Sequence, residues 1–186
     1  ARRWPDWVTQ AGASMDELPR VAVPGTPVGR GGALAARRYG LRTDTIVAAG
    51  TTDGCASFLA TGAAEIGEGV TALGSSLTVK VLSQQPIFAP RFGLYSHRLG
   101  DRWLAGGASN TGGKVLAAFF DAARIAELSA RIDLAASSGL DYYPLPGPGE
   151  RFPIADPALP PRLEPRPADD ALFLQGLFEG IAGVEA

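Results

Sequence analysis

The arrangement that most constrains the fold of this chain is a short apolar run followed at once by a polar loop and a helical pattern. Thr45 to Ala49 is apolar and rich in β-branched residues, which predicts a buried strand. The loop Gly50-Thr51-Thr52-Asp53-Gly54 comes next, and the residues after it have a helical pattern to about Ala63. Because strand, tight loop and helix in succession are the building unit of α/β sheets, we expect an α/β fold.

Composition narrows the function classes without selecting one. The 186 residues are 46% hydrophobic and 19% charged with a net charge of −2, so no basic face for nucleic acid or an anionic membrane is expected. The sequence contains no apolar run of bilayer length and no signal-peptide pattern, so our expectation is a cytoplasmic protein. One cysteine and one histidine exclude an internal disulfide framework and a metal site built from cysteines or histidines.

The pattern changes to that of strands in the middle of the chain. Val70 to Leu73 and Leu77 to Leu82 flank Gly74-Ser75-Ser76, which predicts a hairpin with a turn of small residues. A second hairpin is predicted from Leu94 to Ala105, with its turn at Gly100-Asp101. The pattern therefore indicates antiparallel pairing in this part of the chain.

This change of period also indicates a boundary between two sub-domains. We place it near Gly67 to Gly69, which divides the chain into residues 1–67 and residues 68–186. In the first part, Gly32 to Gly40 predicts a short helix that Gly40 closes.

The second part continues with glycine-rich and proline-rich segments. The glycine-rich stretch 106–113 follows a strand and precedes a predicted helix from Lys114 to Ala123. Residues 137–168 contain much proline and little periodicity, which predicts an ordered surface excursion.

A final helix is predicted from Ala171 to Ala186, with Asp169 or Asp170 as its cap. One face of it is an apolar stripe that needs a surface to pack on. The pattern reaches the last residue without a stop signal, and the first residue is Ala1 rather than methionine, so we interpret the sequence as a fragment. The stripe consists of Leu174, Leu177, Phe178 and Ile181.

Asp53 is the most specific candidate for a catalytic residue. It follows the predicted strand and opens the predicted helix, and ligands of open α/β sheets bind at that place. The helix dipole there favours a carboxylate, which could take a proton or bind a polyol hydroxyl. From position alone a helix cap is the favoured explanation of Asp53, and Thr51 and Thr52 fit either as hydroxyl ligands or as loop residues.

Two glycine-containing segments are weaker candidates. The turn Gly74-Ser75-Ser76 offers amides and hydroxyls that suit phosphate oxygens, although most such turns are only turns. The stretch 106–113 would let a nucleotide approach the backbone, with close packing of helix on strand as the alternative. It lacks the spacing of a dinucleotide fingerprint, and the chain contains no Walker-type loop.

Taken together and in order, several short segments are far more specific than any one of them alone. They are Pro24-Gly25-Thr26-Pro27-Val28-Gly29, Tyr39-Gly40-Leu41, Val47 to Asp53, Gly62-Ala63, Gly67, Leu73 to Ser76, Gly106 to Gly113, Ser138 to Pro144 and Gly176 to Ile181. In this order they resemble the FGGY family of carbohydrate kinases, and most closely its xylulokinase and ribulokinase-like branch. The resemblance covers nearly the whole chain.

The resemblance implies a partial actin-like ATPase (ribonuclease H-like) fold, in which two α/β domains enclose an active-site cleft. Residues 1–67 would end the amino-terminal, sugar-binding domain, and residues 68–186 would begin the nucleotide-binding domain. It implies transfer of the γ-phosphoryl group of ATP, with Mg²⁺, to a hydroxyl of a sugar or polyol such as xylulose or ribulose.

The resemblance also assigns roles to residues. Asp53 would be the general base and would bind the sugar together with Thr51 and Thr52. Gly74, Ser75 and Ser76 match a phosphate loop in which serine replaces threonine and keeps the hydroxyl. Gly112 matches a glycine that lies against the nucleotide, and no residue of the chain is assigned to the metal.

Two alternatives stay open. One keeps the family and changes the substrate to glycerol, gluconate or another polyol, and the other is a catalytically silent actin-like sugar-binding module, which the retained Asp53 disfavours. The 186 residues lack the family's amino-terminal Asp-x-Gly-Thr-type loop and its carboxy-terminal adenine-binding motif. We therefore expect negligible kinase activity from this piece alone. Dimers are common in the family, so a homodimer is a further expectation.

Overall fold

The computed structural model describes residues 3–186 and divides the chain into two units, Ala1–Ala56 and Ser57–Ala186. Both units contain helices and strands, so the expected mixed α/β structure is confirmed. The boundary expected between residues 67 and 68 concerns the domains of a family and stays a prediction. Residues 1 and 2, which open the segment 1–67, lie outside the described residues.

The first unit contains short helices and a two-stranded antiparallel sheet. Its elements in chain order are α1 (Trp7–Gln10), β1 (Pro27–Arg30), α2 (Ala33–Tyr39) and β2 (Ile46–Ala48). Gly40 follows α2 in the left-handed conformation with φ of 67°, and its amide bonds to the carbonyl of Ala36. The helix predicted from Gly32 to Gly40 is thus confirmed, and Gly40 closes it.

The strand predicted from Thr45 to Ala49 forms as β2, but it is shorter than expected and it is not buried. Ile46 is 57% exposed and Val47 is 47% exposed. Among residues 3–186, β1 is the only strand that pairs with β2. The prediction of burial is wrong because a two-stranded sheet in this unit has no further layer that covers both of these side chains.

The second unit is built on a four-stranded antiparallel sheet with the order β3-β4-β6-β5. Its strands are β3 (Gly69–Leu73), β4 (Leu77–Ser83), β5 (Tyr95–Leu99) and β6 (Arg102–Ala108). Both predicted hairpins are confirmed, since β3 pairs with β4 and β5 pairs with β6. The central pair β4–β6 joins the two hairpins into one sheet.

Four helices accompany these strands. They are α3 (Asp53–Ala60), which starts in the first unit and ends in the second, α4 (Gly113–Phe119), α5 (Ala122–Ser129) and α6 (Asp170–Ala182). The single helix predicted from Lys114 to Ala123 is wrong at its end, because Phe120 adopts an extended conformation. Asp121 then caps α5, and its side chain accepts a hydrogen bond from the amide of Arg124.

The core of the second unit forms around α6. Asp169 caps the helix by accepting from the amide of Ala171, as predicted, and the helix ends at Ala182 rather than at the last residue. Its apolar stripe finds a packing surface within its own unit, where Leu174 and Leu177 are fully buried. Other members of this core include Leu77, Val115, Leu116, Phe120, Leu128, Tyr142, Phe173 and Ile181.

The segment 137–168 is ordered as predicted, but it is more than a surface excursion. Tyr142 is 4% exposed and Leu145 is 2% exposed, so the segment contributes side chains to the interior. The hydroxyl of Tyr142 donates to the carbonyl of Pro165 at 2.6 Å, which ties the two ends of the segment together. Proline and irregular backbone hide this burial from a reading based on periodicity.

Two glycines of α6 allow the segment to lie directly on the helix. A Cβ atom added at Gly180 would stand 2.7 Å from the carbonyl oxygen of Tyr142 and 2.8 Å from Cδ of Pro144. A Cβ atom added at Gly176 would meet the ring of Tyr142 at 2.9 Å. The helix therefore presents bare backbone where the segment crosses it.

Glu179 fastens the beginning of the segment to the same helix. Its carboxylate accepts from the amide of Ser138 at 2.9 Å and from the Ser138 hydroxyl at 2.5 Å. Gln175 donates to it from one turn earlier. Burial raises the pKa of Glu179, but the hydrogen bonds from Ser138, Gln175 and Ser137 outweigh burial and leave the pKa below its usual value of 4.5.

Within residues 3–186, no helix is both long enough and apolar enough to cross a lipid bilayer.

We expect the substitution Gly180→Ala to lower the free energy of unfolding by roughly 1–3 kcal/mol, because the new methyl group would push against backbone atoms of the buried segment. Chemical denaturation monitored by circular dichroism measures the change. Gly183→Ala is the matched control directly after the same helix, because its Cβ would be 3.4 Å from the carbonyl of Glu179, an ordinary contact. Equal stability of the two variants would contradict the close packing described here.

The depressed pKa of Glu179 makes stability depend on pH. Because the folded state holds the carboxylate ionised more strongly than the unfolded state does, this stabilisation is present above the unfolded pKa. It is lost as the pH falls through the folded value, below 4.5. Denaturation at neutral and acid pH should therefore show a smaller acid destabilisation in Glu179→Gln than in the unmodified chain, and identical pH profiles would refute the assignment.

Candidate functional site

Asp53 stands at the start of α3, and β2 ends shortly before it at Ala48. Its side chain is exposed, and its Oδ1 atom accepts from the amide of Gly54 at 2.7 Å. The residue before the helix is Thr52, whose carbonyl accepts from the amides of Cys55 and Ala56. Asp53 thus lies one residue inside the helix rather than at the cap position, with its carboxylate at the positive end of the helix dipole and open to solvent.

Thr51 and Thr52 lie in the connection between β2 and α3, and both are exposed. The start of this connection is fixed by β1, since the amide of Ala49 bonds to the carbonyl of Thr26 and the amide of Gly25 bonds to the carbonyl of Ala49. Two hydroxyls on this exposed connection and the carboxylate of the first helical residue therefore follow one another along the chain. Such a set can hydrogen-bond a polyol and accept a proton from it.

The turn Gly74-Ser75-Ser76 joins β3 to β4 in the second unit. Gly74 and Ser75 are exposed and Ser76 is half-buried. The amide of Gly74 donates to the carbonyl of Ser76 at 3.1 Å and closes the turn. Within the described part of the chain, the amides of Ser75 and Ser76 make no hydrogen bond to the protein. These two donors suit an anion such as a phosphate group.

The glycine-rich stretch packs directly against this turn. The amide of Gly113 donates to the carbonyl of Gly74 at 2.8 Å, and the amide of Lys114 donates to the carbonyl of Ser75 at 3.2 Å. Gly112 has φ of 138°, and a Cβ atom there would come within 2.9 Å of backbone atoms of Ser76 and Leu77. Backbone packing alone therefore requires glycine at position 112.

The structure thus brings together the four residues predicted to bind the nucleotide. Gly74, Ser75 and Ser76 form the exposed tip, and Gly112 is buried behind them. Asp53 and the two threonines form a continuous segment of the other unit. The burial of Gly112 agrees with the packing alternative, and contact of this residue with a nucleotide stays a prediction.

Glu150 is a buried residue near this site that sequence reasoning missed. It is 3% exposed, and its carboxylate accepts from the hydroxyl of Ser109 at 2.6 Å and from the amide of Asn110 at 2.7 Å. Burial, together with the hydrogen bond to Glu150, raises the pKa of Tyr143 well above its usual value of 10.0. The only sequence signal was a charged residue inside a proline- and glycine-rich segment, which indicates a surface position rather than an interior one.

His97 and Cys55 are weaker candidates for a functional site than the residues described above. His97 lies half-buried on β5, where burial and the charge of Lys80 lower its pKa. Cys55 is buried in α3. Among residues 3–186, no group of three or more histidine, cysteine, aspartate or glutamate side chains could hold a metal ion.

Comparison with known structures defines the class of fold first. Solved structures of xylulose kinases and of a gluconate kinase match this chain, so the resemblance to the FGGY carbohydrate kinases is confirmed at the level of the fold. No model of a protein family matches the chain.

Three of these solved kinases show how much of the chain matches. The ligand-bound xylulose kinase from Lactobacillus acidophilus has a TM-score of 0.82 at 21% identity, over 98% of this chain and 39% of its own. The gluconate kinase from Lactobacillus acidophilus has a TM-score of 0.79 at 22% identity, over 95% of this chain and 38% of its own. For the xylulose kinase from Rhodospirillum rubrum the TM-score is 0.73 at 23% identity, with coverages of 95% and 38%. The chain thus spans about two fifths of the length of these kinases.

We expect Gly112→Ala to destabilise the second unit by roughly 2 kcal/mol or more, since the new side chain meets backbone atoms and the conformation at φ of 138° is unfavourable for alanine. Gly74→Ala is the matched control in the turn that Gly112 packs against, because its Cβ would lie 3.6 Å from the nearest atom, the carbonyl oxygen of Ser76. Thermal unfolding of both variants measures the difference. An unchanged melting temperature for Gly112→Ala would show that the turn and the glycine stretch are not in contact.

Proposed function

We propose that this chain belongs to the FGGY family and is part of a kinase that transfers the γ-phosphoryl group of ATP to a hydroxyl of a sugar or polyol. The observation that carries the proposal is the exposed carboxylate of Asp53 at the start of α3, on a fold that xylulose and gluconate kinases share. In this proposal the boundary between the sugar-binding and nucleotide-binding domains lies between residues 67 and 68, and the protein is cytoplasmic and forms a homodimer.

Asp53 is the general base of the proposed reaction. As the acceptor oxygen bonds to the γ-phosphorus of ATP, the bond from that phosphorus to the β,γ-bridging oxygen breaks and ADP leaves, while the hydroxyl proton moves to the carboxylate of Asp53. Thr51 and Thr52 hold the substrate through hydrogen bonds from their side chains, which the anchored loop presents to solvent. Phosphoryl transfer depends mainly on positioning and on charge stabilisation, so a base at the start of a helix, next to a short anchored connection, suits the reaction.

The turn Gly74-Ser75-Ser76 binds phosphate oxygens in this proposal. Support comes from the amides of Ser75 and Ser76, which the protein's own hydrogen bonds leave available. ATP is the phosphoryl donor, and a bound Mg²⁺ would supply positive charge against the phosphate oxygens. The metal is assigned to no residue of this chain, in keeping with its usual dependence on substrate phosphates and water for ligands. Gly112 keeps the turn in place from behind.

For the acceptor we propose a ketopentose such as xylulose or ribulose. Two of the three solved kinases described above act on xylulose by name. The gluconate kinase matches almost as closely, with a TM-score of 0.79, so gluconate is the second candidate, and glycerol is a further polyol to test. A silent binding module is disfavoured because such a module does not require an exposed base at position 53.

We expect Asp53→Asn to lower kcat by about 10²–10⁴-fold with little change in KM for the sugar, because the amide keeps the shape and cannot accept the proton. The assay couples ADP release to a panel of xylulose, ribulose, gluconate and glycerol, and uses the full-length natural protein that carries this sequence. The matched control is Asp16→Asn, an exposed aspartate of the first unit. Unchanged turnover in Asp53→Asn would refute the assigned base, and turnover with none of these acceptors would refute the proposed function.

The 186-residue chain assayed by itself should show negligible sugar-dependent release of ADP, because it corresponds to about two fifths of the length of the matching kinases. Robust turnover by the chain alone would contradict this expectation.

A further inference from the structure

Glu150 is unusual among the acidic residues of this chain because its side chain is inside the protein. It is 3% exposed, and among residues 3–186 no other aspartate or glutamate is buried. Burying a carboxylate costs free energy unless hydrogen bonds replace the lost water, so its partners must account for its place.

Every partner of Glu150 donates a hydrogen bond. Oε2 accepts from the hydroxyl of Ser109 at 2.6 Å and from the hydroxyl of Tyr143 at 3.0 Å. Oε1 accepts from the amide of Asn110 at 2.7 Å and from the amide of Arg151 at 2.7 Å. Two of these four donors are backbone amides, which cannot act as acceptors, so both oxygens of the carboxyl group serve as acceptors and the four bonds replace the water lost on burial.

Two of these donors, Ser109 and Asn110, belong to the three residues that precede Gly112. The hydroxyl of Ser109, held by Glu150, accepts in turn from the amide of Thr111 at 3.1 Å. Thr111 donates from its own hydroxyl to the carbonyl of Pro144 at 2.5 Å, and both groups are buried. Asn110 is held a second time, because its side-chain amide donates to the carbonyl of Gly149 at 2.9 Å.

Residues 109–111 are in turn bonded to the end of the phosphate-binding turn. The carbonyl of Thr111 accepts from the amide of Leu77 at 2.8 Å, and the amide of Ser109 donates to the carbonyl of Leu77 at 2.9 Å. Leu77 is the residue directly after Gly74-Ser75-Ser76. A displacement of residues 109–111 therefore moves the end of the turn, although Glu150 itself does not touch it.

We propose that Glu150 is a positioning residue that sets the phosphate-binding turn through Ser109, Asn110 and Thr111. The inference rests on the proposed function, because it assigns to the buried carboxylate the task of holding nucleotide-binding amides in place. A merely structural anchor would stabilise the unit as a whole. A positioning residue affects the turn selectively, and the two roles predict different measurements.

The first test is amide hydrogen exchange on the chain as it exists, with Glu150→Gln compared with the unmodified chain. We expect exchange to become at least about tenfold faster, with α6 and β5 unchanged, at the hydrogen-bonded amides of Gly74, Leu77, Ser109, Thr111 and Gly113. Ser109→Ala is a second variant with the same expected pattern, and it keeps the test open should Glu150→Gln not fold. Faster exchange throughout the second unit, or no change at the amides of Gly74 and Leu77, would overturn the inference.

The second test is kinetic and uses the full-length natural protein with ATP and the accepted sugar. We expect Glu150→Gln to raise KM for ATP about tenfold while KM for the sugar stays within about twofold. The matched control is Glu179→Gln, which removes the other carboxylate that anchors the segment 137–168 but has no bond to residues 109–111. An equal rise of KM for ATP in the control would overturn the inference.

The two proposals fail in different ways. Absence of sugar-dependent ATP turnover in the unmodified protein would overturn the proposed function, together with the nucleotide role given to Glu150. Normal turnover, combined with an unchanged KM for ATP in both Glu150→Gln and Ser109→Ala, would overturn the inference alone.

Discussion

The arrangement of the second unit depends on a short ladder of backbone hydrogen bonds between the β3–β4 turn and the connection from β6 to α4. Gly113 and Lys114 donate to the carbonyls of the turn, and Leu77 exchanges two bonds with Thr111 and Ser109. The ladder requires two chains of backbone to approach more closely than side chains allow, and Gly112 meets that requirement. Without this ladder of hydrogen bonds the turn would be an ordinary exposed hairpin end, not fixed to the connection between β6 and α4.

This ladder is connected to the hydrophobic core by the segment 137–168. Pro144 accepts from Thr111 at one end of the segment's buried stretch, and Tyr142 lies against the bare backbone of α6 a little earlier. Glu150 adds the charged contact from the same segment. The segment 137–168 therefore contacts both α6 and residues 109–111. In this way it fixes the candidate phosphate turn relative to the hydrophobic core.

The sequence predicts the local part of this structure well. Both hairpins, the closure of α2 at Gly40 and the cap of α6 at Asp169 follow from turn and cap chemistry that involves near neighbours. The burial assigned to β2 and the continuous helix after Gly113 are wrong, because they depend on which layers and caps the rest of the unit supplies. Glu150 was missed for a related reason: its partners are backbone amides and hydroxyls far along the chain, and no periodicity marks them.

The separation of these partners along the chain has a consequence for synthesis in the cell. Glu150 bonds to Ser109 across 41 positions, and Glu179 bonds to Ser138 across another 41. Because α6 follows Leu77, Val115 and Leu128 along the chain, these residues lack their core partners Leu174 and Leu177 until the ribosome has released that helix. A nascent chain stalled before α6 would thus display an unfinished apolar surface, of the kind that chaperones recognise and proteases remove.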